Sequence, residues 1–269
     1  MGRPAHDLNP AVLHLGLTAG LLFGVALASA WTGNQAFLFY AAVCLAGALV
    51  ILLGVDDIRA GGTTLRKDMR FSNILALAAR RDTLAALLGI SLYGAGYGIF
   101  LTVLPAYLIT TKGFGTTNVG VFFALFYGAI SFSQLSGSLS DRFDRRVFMV
   151  AGLLTAAAGM GTFQSLGQPL VSVILALTSL GLGVFFLSSL VFLNEAAPDS
   201  LKGTISGAYY LFWGPGMFCG PVLVGQFGKL FGDGTGFYIF SLALLLEAIL
   251  LAVVSYEKFI PTNVGEITV

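Results

Sequence analysis

An all-α, polytopic membrane bundle of about eight helices is the fold this sequence predicts, and three observations predict it. The 269-residue chain is 57% hydrophobic and only 10% charged. Ordinary soluble domains are about 25% charged, so this chain lacks the polar surface to face water all round. Its apolar residues also run on for about 20 positions at a time, the length of a helix across a bilayer. They show none of the period-two alternation of a membrane β-barrel. The third observation is that its Lys and Arg residues fall almost entirely on one side of the resulting spans.

Taken in order, the first span is 11–32, which follows Asn9–Pro10, an N-cap residue and a first-turn proline. It carries Gly16, Gly20 and Gly24 at the four-residue spacing that lets helices approach closely in lipid. The second, 36–54, is led by Phe37. Residues 55–83 are charged and hold no spanning run, so they form a linker. Within it NILALAA (73–79) reads equally as a short surface helix or as solvated chain. Six more spans follow at 84–110, 117–139, 147–166, 170–193, 204–228 and 237–256, the seventh carrying Gly216 and Gly220.

With eight spans, both termini share a side. That side carries Arg3, Arg59, Arg66, Lys67, Arg70, Arg80, Arg81, Arg142, Arg145, Arg146, Lys202 and Lys258, and the other only Lys112 and Lys229. Twelve cations against two place both termini in the cytoplasm by the positive-inside rule. The same side holds the loop GSLSDRFDRR (137–146), the densest knot of charge between two apolar runs.

Other function classes find no support in the residues. A net charge of +1 lacks the clustered cations of a nucleic-acid binder. There is no phosphate-binding glycine loop, and the two histidines and two cysteines lack metal-ligand spacing, so no cofactor or metal is expected. Cys44 and Cys219 fall inside apolar runs and read as small buried hydrophobes, not as a disulfide. No serine has a base and an acid at catalytic spacing, so no enzyme is expected. The two ends of the chain also echo one another at an offset of 200 residues. Gly16, Gly20 and Phe37 correspond to Gly216, Gly220 and Phe237, which points to repeated halves.

GSLSDRFDRR resembles the loop motif of the major facilitator superfamily, G-x-L-[SA]-D-R-x-G-R-[RK], between the second and third helices of each half. Gly137, Leu139, Asp141, Arg142, Arg145 and Arg146 match it, and Asp144 stands where the pattern has glycine. NEAAPDSLKGTISG (194–207) is similar to the family's connection from tenth to eleventh helix, and GPGMFCGPVLVG (214–225) to its eleventh helix.

The resemblance implies that these eight spans are the fifth to twelfth of twelve. Residues 1–54 would be the last two helices of the N-terminal half, 55–83 the central cytoplasmic linker, and 84–269 the six-helix C-terminal half. It implies a secondary active transporter of a small solute by alternating access, with a proton or another ion as coupling partner, in the cell membrane. The alternative it leaves is a truncated or split-gene membrane component that does not transport alone and takes its missing helices in trans.

The resemblance also assigns roles. Asp141 would accept N–H groups at the start of the first span, Gly137 would allow close approach, and Arg145 would pair with Glu195. Arg142 and Arg146 would set orientation and meet anionic lipid headgroups. Together these would make a cytoplasmic latch; the plainer alternative is a solvated turn. Tyr93, Tyr97, Gln134, Tyr209, Tyr210 and Trp213 are the candidate lining of a substrate cavity, each equally open to a packing role. Glu247, deep in LALLLEAILL, is a candidate intramembrane proton site, with a structural role favoured because the corresponding family helix lies far from the cavity.

Overall fold

The computed structural model describes residues 33–54, 80–134, 144–198 and 201–256. Every regular element there is helical. They are α1 (Gly33–Gly54), α2 (Arg81–Leu101), α3 (Val103–Thr110), α4 (Thr116–Ser133), α5 (Arg145–Thr162) with a 3-10 turn (Phe163–Ser165), α6 (Leu170–Ala196), α7 (Lys202–Phe231) and α8 (Thr235–Tyr256). Among the described residues, five stretches are long and apolar enough to cross a membrane: 81–110, 116–133, 145–165, 170–196 and 235–254. The expected span at 11–32 and most of the linker, 55–79, lie outside the described residues.

The expected boundaries shift in two places for local reasons. Residues 81–83, read as linker, begin α2. The single span at 84–110 is interrupted at Thr102, where φ is −127° and ψ −76°. Pro105 lacks the N–H that would bond the carbonyl four residues back, at Leu101. The Thr102 N–H bonds the Ile99 carbonyl, and its hydroxyl takes over the Gly98 carbonyl at 2.8 Å.

α2 is the centre of the bundle. Of its most apolar stretch 67% is buried, against 22% for α4, so α2 packs on several sides and α4 on one. Small residues make this possible. A Cβ at Gly98 would collide with the Met217 carbonyl of α7, and one at Gly94 with that of Trp213. From the other side, Gly216 meets the Ser91 carbonyl and Gly220 meets Ala95. A second seam joins α5 to α6, where Gly152 and Gly181 each approach the other's carbonyl so closely that a Cβ would stand 2.6 Å from it. In lipid such close contact, not hydrophobic exclusion from water, holds helices together.

At one end of the bundle, Lys112 Nζ donates to the carbonyls of Gln164 and Leu166, the latter at 3.0 Å. Those carbonyls close the C-terminal end of α5, where a cation also meets the negative end of the helix dipole. One of the two cations on the sparse side is thus a structural cap.

The reading of Cys44 and Cys219 as buried is corrected: both are exposed free thiols. In a bilayer the outside of a bundle is as apolar as its inside, so an apolar neighbourhood does not say which way a side chain points. The same holds for Leu211, Phe218 and Leu230, each at least 70% exposed on α7.

Candidate functional site

Two groups of side chains emerge, one charged and at the helix ends, the other aromatic and deeper. The charged group begins with Asp144. Where the loop motif has glycine, this residue is the N-cap of α5, its Oδ1 accepting from the Arg146 N–H at 3.0 Å. A carboxylate there satisfies one orphan donor and meets the positive end of the helix. The cap sets the direction of the two arginines that follow.

Arg145 reaches across to the last turn of α6. Its Nε donates to Glu195 Oε2 at 2.8 Å and its Nη2 to Oε1 at 2.7 Å, a bidentate pair. Arg146 turns the other way, and the expectation that it meets lipid headgroups is corrected. Its side chain is mostly buried, with the guanidinium 5.3 Å above the Phe192 ring of α6 and 3.7 Å from Asp82 of α2. Asp82 is itself buried; it also accepts from Arg80 at 3.3 Å and from the Thr83 N–H at 2.9 Å. The starts of α2 and α5 and the end of α6 are therefore bound by one charge cluster. Gly137, Leu139, Asp141 and Arg142 lie outside the described residues, as does the start of the first span that Asp141 was expected to grip.

The aromatic group gathers five of the six expected cavity residues. Tyr93 stacks on Phe186 of α6, with centroids 5.3 Å apart and planes at 22°. Tyr93 meets Tyr97 at 6.3 Å, Tyr97 meets Trp213 of α7 at 5.8 Å, and Trp213 meets Tyr210 at 6.4 Å. Tyr210 then meets Tyr209 at 5.5 Å, and Tyr209 returns to Phe186 at 5.9 Å, closing a circuit of six rings. Tyr127 of α4 joins at Tyr97, 6.5 Å away edge to face. Burial grades across the circuit: Tyr93 and Tyr209 form its floor, Tyr97, Phe186 and Trp213 are half-buried, and Tyr210 is 67% exposed at its rim.

Gln134 does not join this circuit. It is the C-cap of α4, seven residues or about 10 Å along the helix from Tyr127, with a buried Nε2 that lacks a hydrogen-bond partner. Phe186, Tyr127 and Asp82 are site residues that sequence reading missed. Tyr127 had a usable signal, since it shares a helical face with Ser131 and Gln134.

Glu247 lies midway along α8, buried, with Oε1 unpartnered. It faces α2 at Gly89, where an added Cβ would stand 3.3 Å from Oε1 and 2.6 Å from the Phe185 ring. It therefore sits in a helix seam and not among the circuit's rings.

Comparison with known proteins gives the family of the chain. The chain matches the family described as Major Facilitator Superfamily over residues 8–221 and again over 119–265. It is also similar to the arabinose-proton symporter of Bacillus subtilis (strain 168), 37% identical over 92 residues, which is 33% of this chain and 19% of that protein. The aligned part thus spans about a fifth of the relative's length. Two overlapping matches that together run from residue 8 to residue 265, on a bundle of apolar membrane-spanning helices, place the chain: it belongs to the major facilitator superfamily, a family of membrane transporters and not of enzymes.

Proposed function

We propose that this chain takes part in secondary active transport of a small solute by alternating access, coupled to a proton gradient, in the cell membrane with both termini cytoplasmic. The observation that carries this reading is the vertical order of the two groups. A charge cluster ties three helix ends together, and the aromatic circuit begins about 10 Å deeper, since Tyr209 lies seven residues into α7 and Phe186 nine residues before Glu195. A lock at the mouth and a recognition surface inside are what a rocking transporter requires. The coupling ion follows the name of the proton symporter that the chain resembles. The division into 1–54, a linker at 55–83 and a six-helix unit at 84–269 belongs to the same proposal, as does the Asp141 contact.

The Arg145–Glu195 pair suits switching better than folding. Arg145 is 15% exposed but Glu195 is 57% exposed, so neutralising Arg145 strands only an acid that water already solvates, and the loss stays in the range of exposed pairs, about 0–1 kcal/mol. That is little for stability, but about 1 kcal/mol shifts a balance between two conformations roughly fivefold. Arg145→Gln is therefore expected to cut transport about fivefold while the thermal midpoint in detergent stays within about 2 °C. The double exchange Arg145→Glu with Glu195→Arg should restore part of the rate.

The assay is solute-triggered proton movement in vesicles that hold the purified chain and a pH dye, tried with a panel of solutes that includes arabinose. No solute-dependent flux from any of them would overturn independent transport. Flux that appears only when further helices are supplied in trans would identify a component of a larger transporter. Glu247 is tested in the same vesicles. As a packing residue, Glu247→Gln should leave flux and melting unchanged, because glutamine keeps the shape and an acceptor. Loss of proton movement with unchanged melting would make it the proton site instead.

A further inference from the structure

The chemistry of the aromatic circuit restricts what it can bind. Each ring presents a negative face and a positive edge. Among the described residues, Asp, Glu, Lys and Arg lie at the helix ends, save Glu247, which faces Gly89 and Phe185 in another seam. The circuit therefore offers no cation to neutralise an anionic solute. Its polar groups are tyrosine hydroxyls and one indole N–H. None is a paired amide or carboxylate of the kind that reads adjacent hydroxyls of a sugar.

We infer that the circuit is a binding surface for flat aromatic solutes, neutral or positively charged, which stack against its half-buried and exposed members Tyr97, Trp213 and Tyr210. This deepens the transport reading by naming its solute class, and it rests on that reading only for the use to which binding is put. Neutral rings gain offset stacking, and cations gain in addition from the ring faces, most of all from indole. Anions meet the same faces unfavourably.

The test is equilibrium dialysis of the full chain in lipid nanodiscs, against protein-free nanodiscs that correct for partition into lipid. The probes are 2-naphthol, N-methylquinolinium, 2-naphthalenesulfonate and L-arabinose. Saturable binding is expected for the first two and none for the last two. Tyr97→Leu and Trp213→Leu should each weaken binding at least tenfold. Tyr210→Leu should weaken it about threefold, and because this rim residue is exposed, its loss leaves the fold intact. Tyr97→Phe keeps the ring and should retain most of the affinity.

Binding of arabinose or the sulfonate as tight as that of the neutral aromatic would overturn the proposal. So would aromatic binding unchanged in Tyr210→Leu and Tyr97→Leu. Saturable aromatic binding without any solute-triggered proton flux would sink the transport reading and leave this site standing. Flux with arabinose that depends on Arg145, without aromatic binding, would do the reverse.

Discussion

Gly216→Ala is expected to unseat α7 from α2, whereas Gly214→Ala, two positions away in the same helix, is expected to be neutral or slightly stabilising. The difference lies in what the new methyl meets. At Gly214 there is open space, and at Gly216 there is the Ser91 carbonyl of the facing helix. A flexible side chain in the way would rotate; a backbone carbonyl moves only if the helix axes separate. Overpacking a core costs about 1–3 kcal/mol. Gly94, Gly98 and Gly220 share this seam with backbone or Cβ neighbours just as close, so the cost at Gly216 should lie at or above about 3 kcal/mol. At Gly214 alanine gains helix propensity, up to about 1 kcal/mol, partly offset because its Cβ crowds the Cδ of Pro215, the next residue in the helix. Thermal unfolding of both variants in detergent, followed by circular dichroism and size exclusion, separates the two outcomes. Equal midpoints would show that α2 and α7 do not cross at this seam.

That pair of glycines marks how far the sequence could be read. GPG at 214–216 looks uniform, and the four-residue spacing of Gly216 and Gly220 signals close packing. Which glycine meets a neighbour depends on how α7 is rotated about its axis, and that follows from its contacts with α2. The spans were legible for a plain reason: each continuous apolar run has one sensible solution in lipid. The lipid that makes spans conspicuous also erases the contrast between inside and outside, which is why the cysteines were misplaced.

The aromatic site was half legible. Tyr93 and Tyr97 announce themselves at i and i+4 with polar tips. Phe186 is one of the chain's 23 phenylalanines and lies in a largely apolar run, and only the packing of α6 against α2 and α7 distinguishes it. Charge patterning likewise said at which end Arg146 lies and nothing about its direction. The positive-inside rule counts residues by side of the membrane. It does not tell a guanidinium facing headgroups from one laid over Phe192 beside a buried carboxylate.

The charge cluster yields the other large effect, and the effect is asymmetric. Asp82→Ala should destabilise the bundle by about 3 kcal/mol, and Arg146→Met by about 1 kcal/mol or less. Asp82 is the anion between Arg80 and Arg146, with side-chain exposures of 9% for Asp82, 50% for Arg80 and 17% for Arg146. Removing the acid leaves the mostly buried Arg146 without that counter-charge, and stranding one partner of a buried pair costs about 3–5 kcal/mol. The lower end applies because the Phe192 face still attracts the cation. Removing Arg146 is milder on two counts. Asp82 keeps Arg80 and the Thr83 N–H, and methionine keeps an unbranched apolar stem on the Phe192 ring. A chain held together by apolar seams alone would show the opposite order, because arginine buries more surface than aspartate. Ranking the two variants by unfolding midpoint in mixed detergent therefore decides whether this end of the bundle is held by charge or by area.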